Sequence, residues 1–129
     1  MGLREADVFG ARRSRGKPER AVQKVCLIEL RRLGALVAVT DAGAAYRAGA
    51  FFGDAIPAGW PDITGVLPDG RFIGVECKAP ACPGLGQRAG RQSPAQKVVE
   101  EEVRRRNGLY ILARSAEDVR KGVEDATRH

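Results

Sequence analysis

The sequence predicts an α/β fold in which a mixed central β-sheet is flanked by helices, with its core elements in the order α-β-β-β-α-β. Three stretches repeat apolar residues at helical spacing, and four short apolar runs have the length of β-strands. Three of those runs separate the first two helical stretches, and the fourth follows the second helix. The chain of 129 residues has the length of one compact domain. We therefore expect a single domain at residues 18–129, preceded by a basic arm at residues 1–17.

The first helix and the first strand are predicted on either side of Gly34. Pro18 suits the first turn of a helix, and Gly34 suits its end. The apolar stripe between them consists of Val22, Cys26, Leu30 and Leu33. Residues 36–40 are short, apolar and rich in β-branched side chains, so we expect a buried strand there.

A β-hairpin is predicted from residues 63–67 and 71–78, because Pro68-Asp69-Gly70 between them suits a tight turn. With a turn of these residues, counting outward along the two strands places Asp62 opposite Glu76. The other face of the hairpin then carries an apolar set, Ile63, Leu67, Ile73, Val75 and Cys77. This set suits a core and favours the register over a slip of one residue.

The second half of the chain predicts a loop, a helix, a strand and a final helix. Residues 79–92 are rich in Gly, Pro and Arg and predict the loop. Ser93-Pro94-Ala95-Gln96 begins the helix with a capping-box pattern and a proline at its first position, and Gly108 suits its end. Residues 109–113 predict the last strand, and residues 116–126 a terminal amphipathic helix.

Composition narrows the classes of chemistry. The net charge of +6 favours polyanionic partners, although charge alone is a weak signal. The one histidine is the last residue, His129, so catalytic triads and histidine-metal sites have no histidine in a folded core. The three cysteines form no C-x-x-C pair, which predicts reduced thiols rather than a disulfide framework or a zinc site. Catalysis would then depend on carboxylates and lysine.

Asp62, Glu76 and Lys78 are the candidates for that chemistry. Opposed carboxylates are destabilising unless a positive charge lies between them, and a metal ion would supply one. Strand alternation places Glu76 and Lys78 on the same side. Carboxylates that bind Mg²⁺, beside an ammonium group, suit phosphodiester hydrolysis. The alternative is that Glu76 and Lys78 are solvated residues on an exposed sheet face, with Asp62 as a turn former.

Pro61-Asp62 followed by Glu76-Cys77-Lys78 resembles the signature of the PD-(D/E)XK nuclease superfamily. Four segments in order resemble the VRR-NUC (virus-type replication-repair nuclease) family, and they cover about residues 18–114. They are Glu19, Gly59-Trp60-Pro61-Asp62-Ile63, Glu76-Cys77-Lys78-Ala79 and Ser93-Pro94-Ala95-Gln96. The resemblance implies a restriction-endonuclease-like core and a DNA nuclease that uses one or two Mg²⁺ ions, for which Mn²⁺ could substitute.

The resemblance also implies roles for individual residues. Asp62, Glu76 and the backbone carbonyl of Cys77 would be metal ligands, and Lys78 would position the attacking water and stabilise the transition state. Glu19 would hold the metal directly or through water. Its alternative is a carboxylate that stabilises the N-terminus of a helix. Gln96 would orient the lysine or a phosphate, or else only complete the capping box of Ser93.

Candidate DNA contacts are Arg47, Arg88 and Arg91, because the guanidinium group matches phosphate oxygens. The basic arm is a further candidate, with a solvated tail as its alternative. Residues 41–59 are too long for an ordinary connection and predict a functional segment, a hidden hairpin or a disordered loop.

The resemblance implies a homodimeric, structure-selective endonuclease that cleaves branched DNA such as Holliday junctions. Two alternatives remain at this stage: a less selective nickase or restriction-like nuclease, and a catalytically silent DNA-binding module of replication or repair. The polar, Arg-rich start and the absence of a long apolar run predict neither a secretory signal nor a membrane span. We expect a location in the cytoplasm of a bacterium or of a virus-infected host.

Overall fold

The computed structural model describes residues 16–40 and 56–128. In these residues, the helices are α1 (Lys17–Arg32), α2 (Pro94–Arg105) and α3 (Ala116–Thr127). The strands are β1 (Leu36–Val39), β2 (Ile63–Val66), β3 (Phe72–Cys77) and β4 (Leu109–Ala113). A short 3₁₀ helix covers Pro83–Leu85. None of the helices in this part of the chain combines the length and apolar character required to cross a membrane.

The four strands form one mixed sheet in the order β1-β2-β3-β4. The pairs β1–β2 and β2–β3 are antiparallel, and β3 pairs with β4 in parallel. The parallel pair requires a crossover connection, which α2 supplies. The predicted α/β fold with a mixed sheet and its order of elements is confirmed at this level.

The core lies on the sheet face that carries Ile63, Ile73 and Val75, all of them fully buried. α1 and α3 cover this face, and the stripe Val22, Cys26, Leu30 of α1 is buried against it. The same alternation turns Glu76 and Tyr110 toward the other face, where α2 packs. Helices therefore lie on both sides of the sheet, as predicted.

The strand predicted at residues 36–40 forms as β1, but the prediction that it is buried is wrong. Only Val37 of its four residues is buried, and Leu36 is 78% exposed. β1 is at the edge of the sheet, and α1 covers one of its faces. The sequence of a short apolar strand does not reveal whether it will occupy the edge or the centre of a sheet.

The basic arm at residues 1–15, Arg47 and most of the long segment at residues 41–59 lie outside the described residues. The last arm residue, Lys17, belongs to α1, which has Gly16 at its N-cap. Pro18 lies in the first turn of the helix, as the sequence predicts.

Candidate active site

Two carboxylates lie opposite each other at the open end of the β2–β3 hairpin. The register pairs Ile63 with Val75 and Val66 with Phe72, so its continuation by one residue pairs Asp62 with Glu76. The predicted register is confirmed. Both carboxylate residues are 0% exposed. Burial of two negative charges side by side is costly unless cations and hydrogen-bond donors surround them.

The side chain of Asp62 connects the segment before β2 to the backbone of β3. The amide of Cys77 donates a hydrogen bond to Asp62 Oδ2 at 2.8 Å. Pro61, just before Asp62, has no amide hydrogen to donate to the Cys77 carbonyl. Because the amide and carbonyl of one strand residue point the same way, that carbonyl faces the side on which Asp62 lies. It is thus available next to the carboxylates.

Glu19 joins these two carboxylates from the first turn of α1. One carboxylate oxygen from each of Glu19, Asp62 and Glu76 lies within 4.8 Å of the others. Three hard oxygen donors at this spacing could hold a divalent cation. The alternative for Glu19, a carboxylate at a helix N-terminus, applies to the same position, and the two interpretations are compatible.

Lys78 and Gln96 approach Glu76 from different elements. The Lys78 ammonium Nζ is 3.6 Å from Glu76 Oε2, and the lysine side chain is 12% exposed. Gln96 Nε2 donates to the same Glu76 oxygen at 2.8 Å. The backbone of Lys78 is fixed as well, because its amide donates to the carbonyl of Ala113 at 3.0 Å.

The predicted capping role of Gln96 is confirmed, and the same side chain also contacts Glu76. Its Oε1 accepts from the Ser93 amide at 2.8 Å, while its own amide donates to Ser93 Oγ at 3.1 Å, which completes the capping box. The Nε2 end of the same side chain remains for Glu76. The cap fixes the amide orientation, so that a donor rather than an acceptor faces the carboxylate.

Gly59 allows the strand that carries Asp62 to approach α2. Its φ of +82° is a conformation that residues with side chains rarely adopt. A Cβ atom at this position would lie 2.5 Å from the backbone of Ala95 and 2.8 Å from the amide of Gln96. The chain before Asp62 therefore packs directly on the first turn of α2, which brings Gln96 within reach of the hairpin.

The thiol of Cys77 takes no part in this chemistry. A hydrogen bond with the Cys26 thiol and burial both raise the pKa of Cys77 far above its usual range. The thiol packs in the core on the sheet face away from Glu76, so the backbone is the part of Cys77 that adjoins the carboxylates.

Arg88 and Arg91, two of the predicted DNA contacts, are exposed in the loop between β3 and α2. Within the described residues, neither side chain forms a hydrogen bond or an ion pair. Their placement leaves both guanidinium groups accessible to a ligand.

A polar network behind Glu76 was not anticipated from the sequence. Gln92 Nε2 donates to Glu100 Oε1 at 2.9 Å and to the Tyr110 hydroxyl at 3.2 Å. Burial, together with the charge of Glu76, raises the pKa of Tyr110 to about 12. No sequence pattern identifies these residues, because they come from a loop, a helix and a strand.

An apolar cavity of about 470 Å³ lies between α2 and the hairpin. Trp60 and Phe72, whose ring centroids are 5.9 Å apart, form part of its wall. Its charged members, Glu102 and Arg106, form an ion pair with each other. The cavity offers no group suited to hydrolysis, so the carboxylate cluster is the candidate active site.

Comparisons of the chain with protein-family models, with curated proteins and with solved structures gave no match. A functional proposal therefore depends on the residues of this chain.

Proposed function

We propose that this protein is a metal-dependent DNA endonuclease with a restriction-endonuclease-like core of the VRR-NUC type. The observation that carries the proposal is the cluster of Glu19, Asp62 and Glu76, with their oxygens within 4.8 Å of one another. Lys78 beside Glu76 completes the residue types that phosphodiester hydrolysis requires.

The donor set suits Mg²⁺, with Mn²⁺ as a substitute, because all of its members are oxygens. Asp62, Glu76 and the Cys77 carbonyl would hold the ion, and Glu19 would hold it directly or through water. The bound ion would act as a Lewis acid on the phosphate and favour deprotonation of the attacking water.

The protein groups divide the remaining tasks. Lys78 contributes a positive charge where negative charge develops on the phosphate oxygens, and its ammonium can donate a hydrogen bond to the attacking water. Gln96 orients Glu76 through its Nε2 donor. Burial of Asp62 and Glu76 strengthens each of these electrostatic interactions, because little water screens them.

The distribution of charge supports a polyanionic substrate. On the outer face of α1, Lys17, Arg20 and Lys24 lie at helical spacing, and their side chains form no ion pair within residues 16–40 and 56–128. By contrast, several cations at the far ends of the helices form ion pairs with acidic neighbours, as Arg32 does with Glu29 and Arg104 with Glu100. The cations that form no ion pair among the described residues thus include three on the helix that supplies Glu19.

Lys78→Ala tests the catalytic proposal. We expect cleavage of DNA in Mg²⁺ to fall at least about 100-fold, because a preorganised cation is lost at the reacting phosphate. Lys121→Ala, which removes an exposed lysine from α3, is the matched control and should cleave like the wild type. Undiminished cleavage by Lys78→Ala would exclude the assigned role of this lysine.

Selectivity for four-way junctions and a homodimer are proposed from the family resemblance, and so is a cytoplasmic location. A two-fold dimer would let a small domain make paired cuts across a symmetric junction. A four-way junction should be cut much faster than a linear duplex of the same sequence, and light scattering should give twice the chain mass of 13.9 kDa. Equal rates on both DNAs would instead favour the less selective nuclease.

A further inference from the structure

The loop between Ala79 and Gly90 is closed at its base. The amide of Gly90 donates to the carbonyl of Ala79 at 2.9 Å. Arg114 Nη1, from the residue that follows β4, donates to the carbonyls of Ala79 at 3.0 Å and of Gly90 at 2.8 Å. The two ends of the loop are therefore held together and attached to the end of the sheet.

The interior of this loop is also ordered by hydrogen bonds. Cys82 and Gln87 exchange two backbone bonds, of 2.8 and 3.0 Å, and the Gln87 side chain donates to the Pro80 carbonyl at 2.5 Å. The 3₁₀ helix Pro83–Leu85 forms the tip between them. The loop is thus a miniature hairpin with a defined shape rather than an irregular connection.

The tip of this hairpin presents an apolar side chain to solvent. Leu85 is 81% exposed. Arg88, on the returning strand of the loop, is also exposed and forms no hydrogen bond or ion pair within the described residues. The hydrogen bonds of the loop therefore order a backbone that carries Leu85 and Arg88, two side chains that lie outside the core.

The loop lies directly against the candidate active site. A Cβ atom at Gly90 would be 3.3 Å from Lys78 Cβ and 3.4 Å from Lys78 Cδ, so the glycine backbone packs on the stem of the lysine. The base of the loop therefore adjoins Lys78, and Arg88 precedes Gly90 by two residues in the sequence.

We propose that the loop Ala79–Gly90 is a preformed nucleic-acid contact, in which Arg88 binds a phosphate and Leu85 packs against a base exposed at a distortion of the DNA. This proposal rests on the proposed function and assigns to this loop the contact with bases that are unstacked where the DNA is distorted. A guanidinium group matches phosphate oxygens, and apolar side chains insert where base steps are opened. The Arg114 anchor makes the contact available without a cost in ordering the loop.

Binding of the metal-free protein to a fluorescent four-way junction and to a matched duplex tests the proposal. Leu85→Ala should weaken junction binding about fivefold or more and leave duplex binding nearly unchanged, because only open bases offer a surface to the leucine. Leu36→Ala, with a side chain of 78% exposure on the edge strand, is the matched control and should change neither affinity.

Arg88→Gln should reduce the slope of log affinity against log salt by about one for both DNAs, because one phosphate contact is lost. Arg105→Gln, which removes the same charge from the end of α2, should keep the wild-type slope. Wild-type affinities and slopes in both Leu85→Ala and Arg88→Gln would overturn the proposal.

The binding assay contains no metal and measures no cleavage, which separates the two proposals. A protein that cuts no DNA, but whose junction binding depends on Leu85 and Arg88, would support the loop contact and contradict the nuclease. If the wild type cuts DNA, and both Leu85→Ala and Arg88→Gln bind the junction as tightly as the wild type does, the nuclease is supported and the loop contact is contradicted.

Discussion

Asp62→Asn should make the metal-free protein more stable and remove its response to metal. The substitution keeps an oxygen that accepts from the Cys77 amide, so the backbone contact at 2.8 Å is retained. It replaces one of three carboxylates whose oxygens lie within 4.8 Å of one another. At an effective dielectric constant of about 20, each pair of like charges at 4.8 Å repels by about 3.5 kcal/mol.

The net gain is smaller than the two repulsions that Asp62 experiences. Lys78 offsets part of them, and a neutral acceptor binds the Cys77 amide less strongly than a charged one. We therefore expect a net stabilisation of about 1 to 2 kcal/mol in EDTA. A chain of 129 residues shifts its midpoint by about 4 °C per kcal/mol, so the expected rise in Tm is about 4 to 8 °C.

Thermal unfolding of both proteins, in EDTA and in Mg²⁺ or Mn²⁺, measures this effect. The wild type should gain about 2.7 kcal/mol at a metal concentration 100 times the Kd, whereas Asp62→Asn should gain little. The exposed turn residue Asp69 provides the matched control, since Asp69→Asn should leave the metal response intact. A lower midpoint for Asp62→Asn than for the wild type in EDTA would refute the repulsion argument.

Three further predictions concern Gln96, its cap residue Ser93, and Tyr110. Gln96→Glu keeps the acceptor for the Ser93 amide but replaces the Nε2 donor with a negative oxygen, so metal-dependent cleavage should fall more than about tenfold. Ser93→Ala should lower the free energy of unfolding, measured in urea, by about 1 kcal/mol and leave cleavage unchanged. A loss of cleavage in Ser93→Ala would show instead that the Ser93 hydroxyl is needed to position Gln96. Burial raises the pKa of Tyr110 to about 12, so the neutral phenol stabilises the fold below pH 10 and this contribution is lost as the pH rises from about 10 to 12. In a Tyr46→Phe background, phenolate absorbance should report this titration, and a midpoint near 10 in the folded protein would contradict the burial argument.

The register of the hairpin could be predicted to the residue because two independent constraints agree. The turn Pro68-Asp69-Gly70 fixes how many residues separate the strands, and the apolar alternation fixes which face is buried. A slip of one residue would have turned Ile63 and Val75 toward the other face of the sheet. The opposition of Asp62 and Glu76 follows from the same register and could be predicted with equal certainty.

The residues that escaped prediction are those whose position depends on distant parts of the chain. The exposure of β1 depends on the order of strands in the sheet. Arg114 donates to carbonyls that are 35 and 24 residues away in sequence. Because every residue has a backbone carbonyl, no residue type in the sequence marks these acceptors. The contact of Gln96 with Glu76 also escaped prediction, because one end of the amide completes the cap while the other end reaches a residue 20 positions away in sequence.

Features that destabilise a sheet are concentrated at the open end of the β2–β3 hairpin, and the rest of the hairpin lacks them. At the open end, Asp62 lies opposite Glu76, so that two carboxylates are opposed, Pro61 precedes Asp62 just before β2 begins, and Gly59 adopts a positive φ. Each of these features is unfavourable for a sheet. Apolar or β-branched residues at the same positions would be expected in a sequence selected for stability alone. Between these residues and the turn, Ile63, Ile73 and Val75 follow the ordinary pattern and are fully buried. Unfavourable features tend to gather where a fold carries its function, and these three all adjoin the oxygens that could hold a cation. This concentration of local conflict is independent of the resemblance to nucleases, and it favours the same residues as the site.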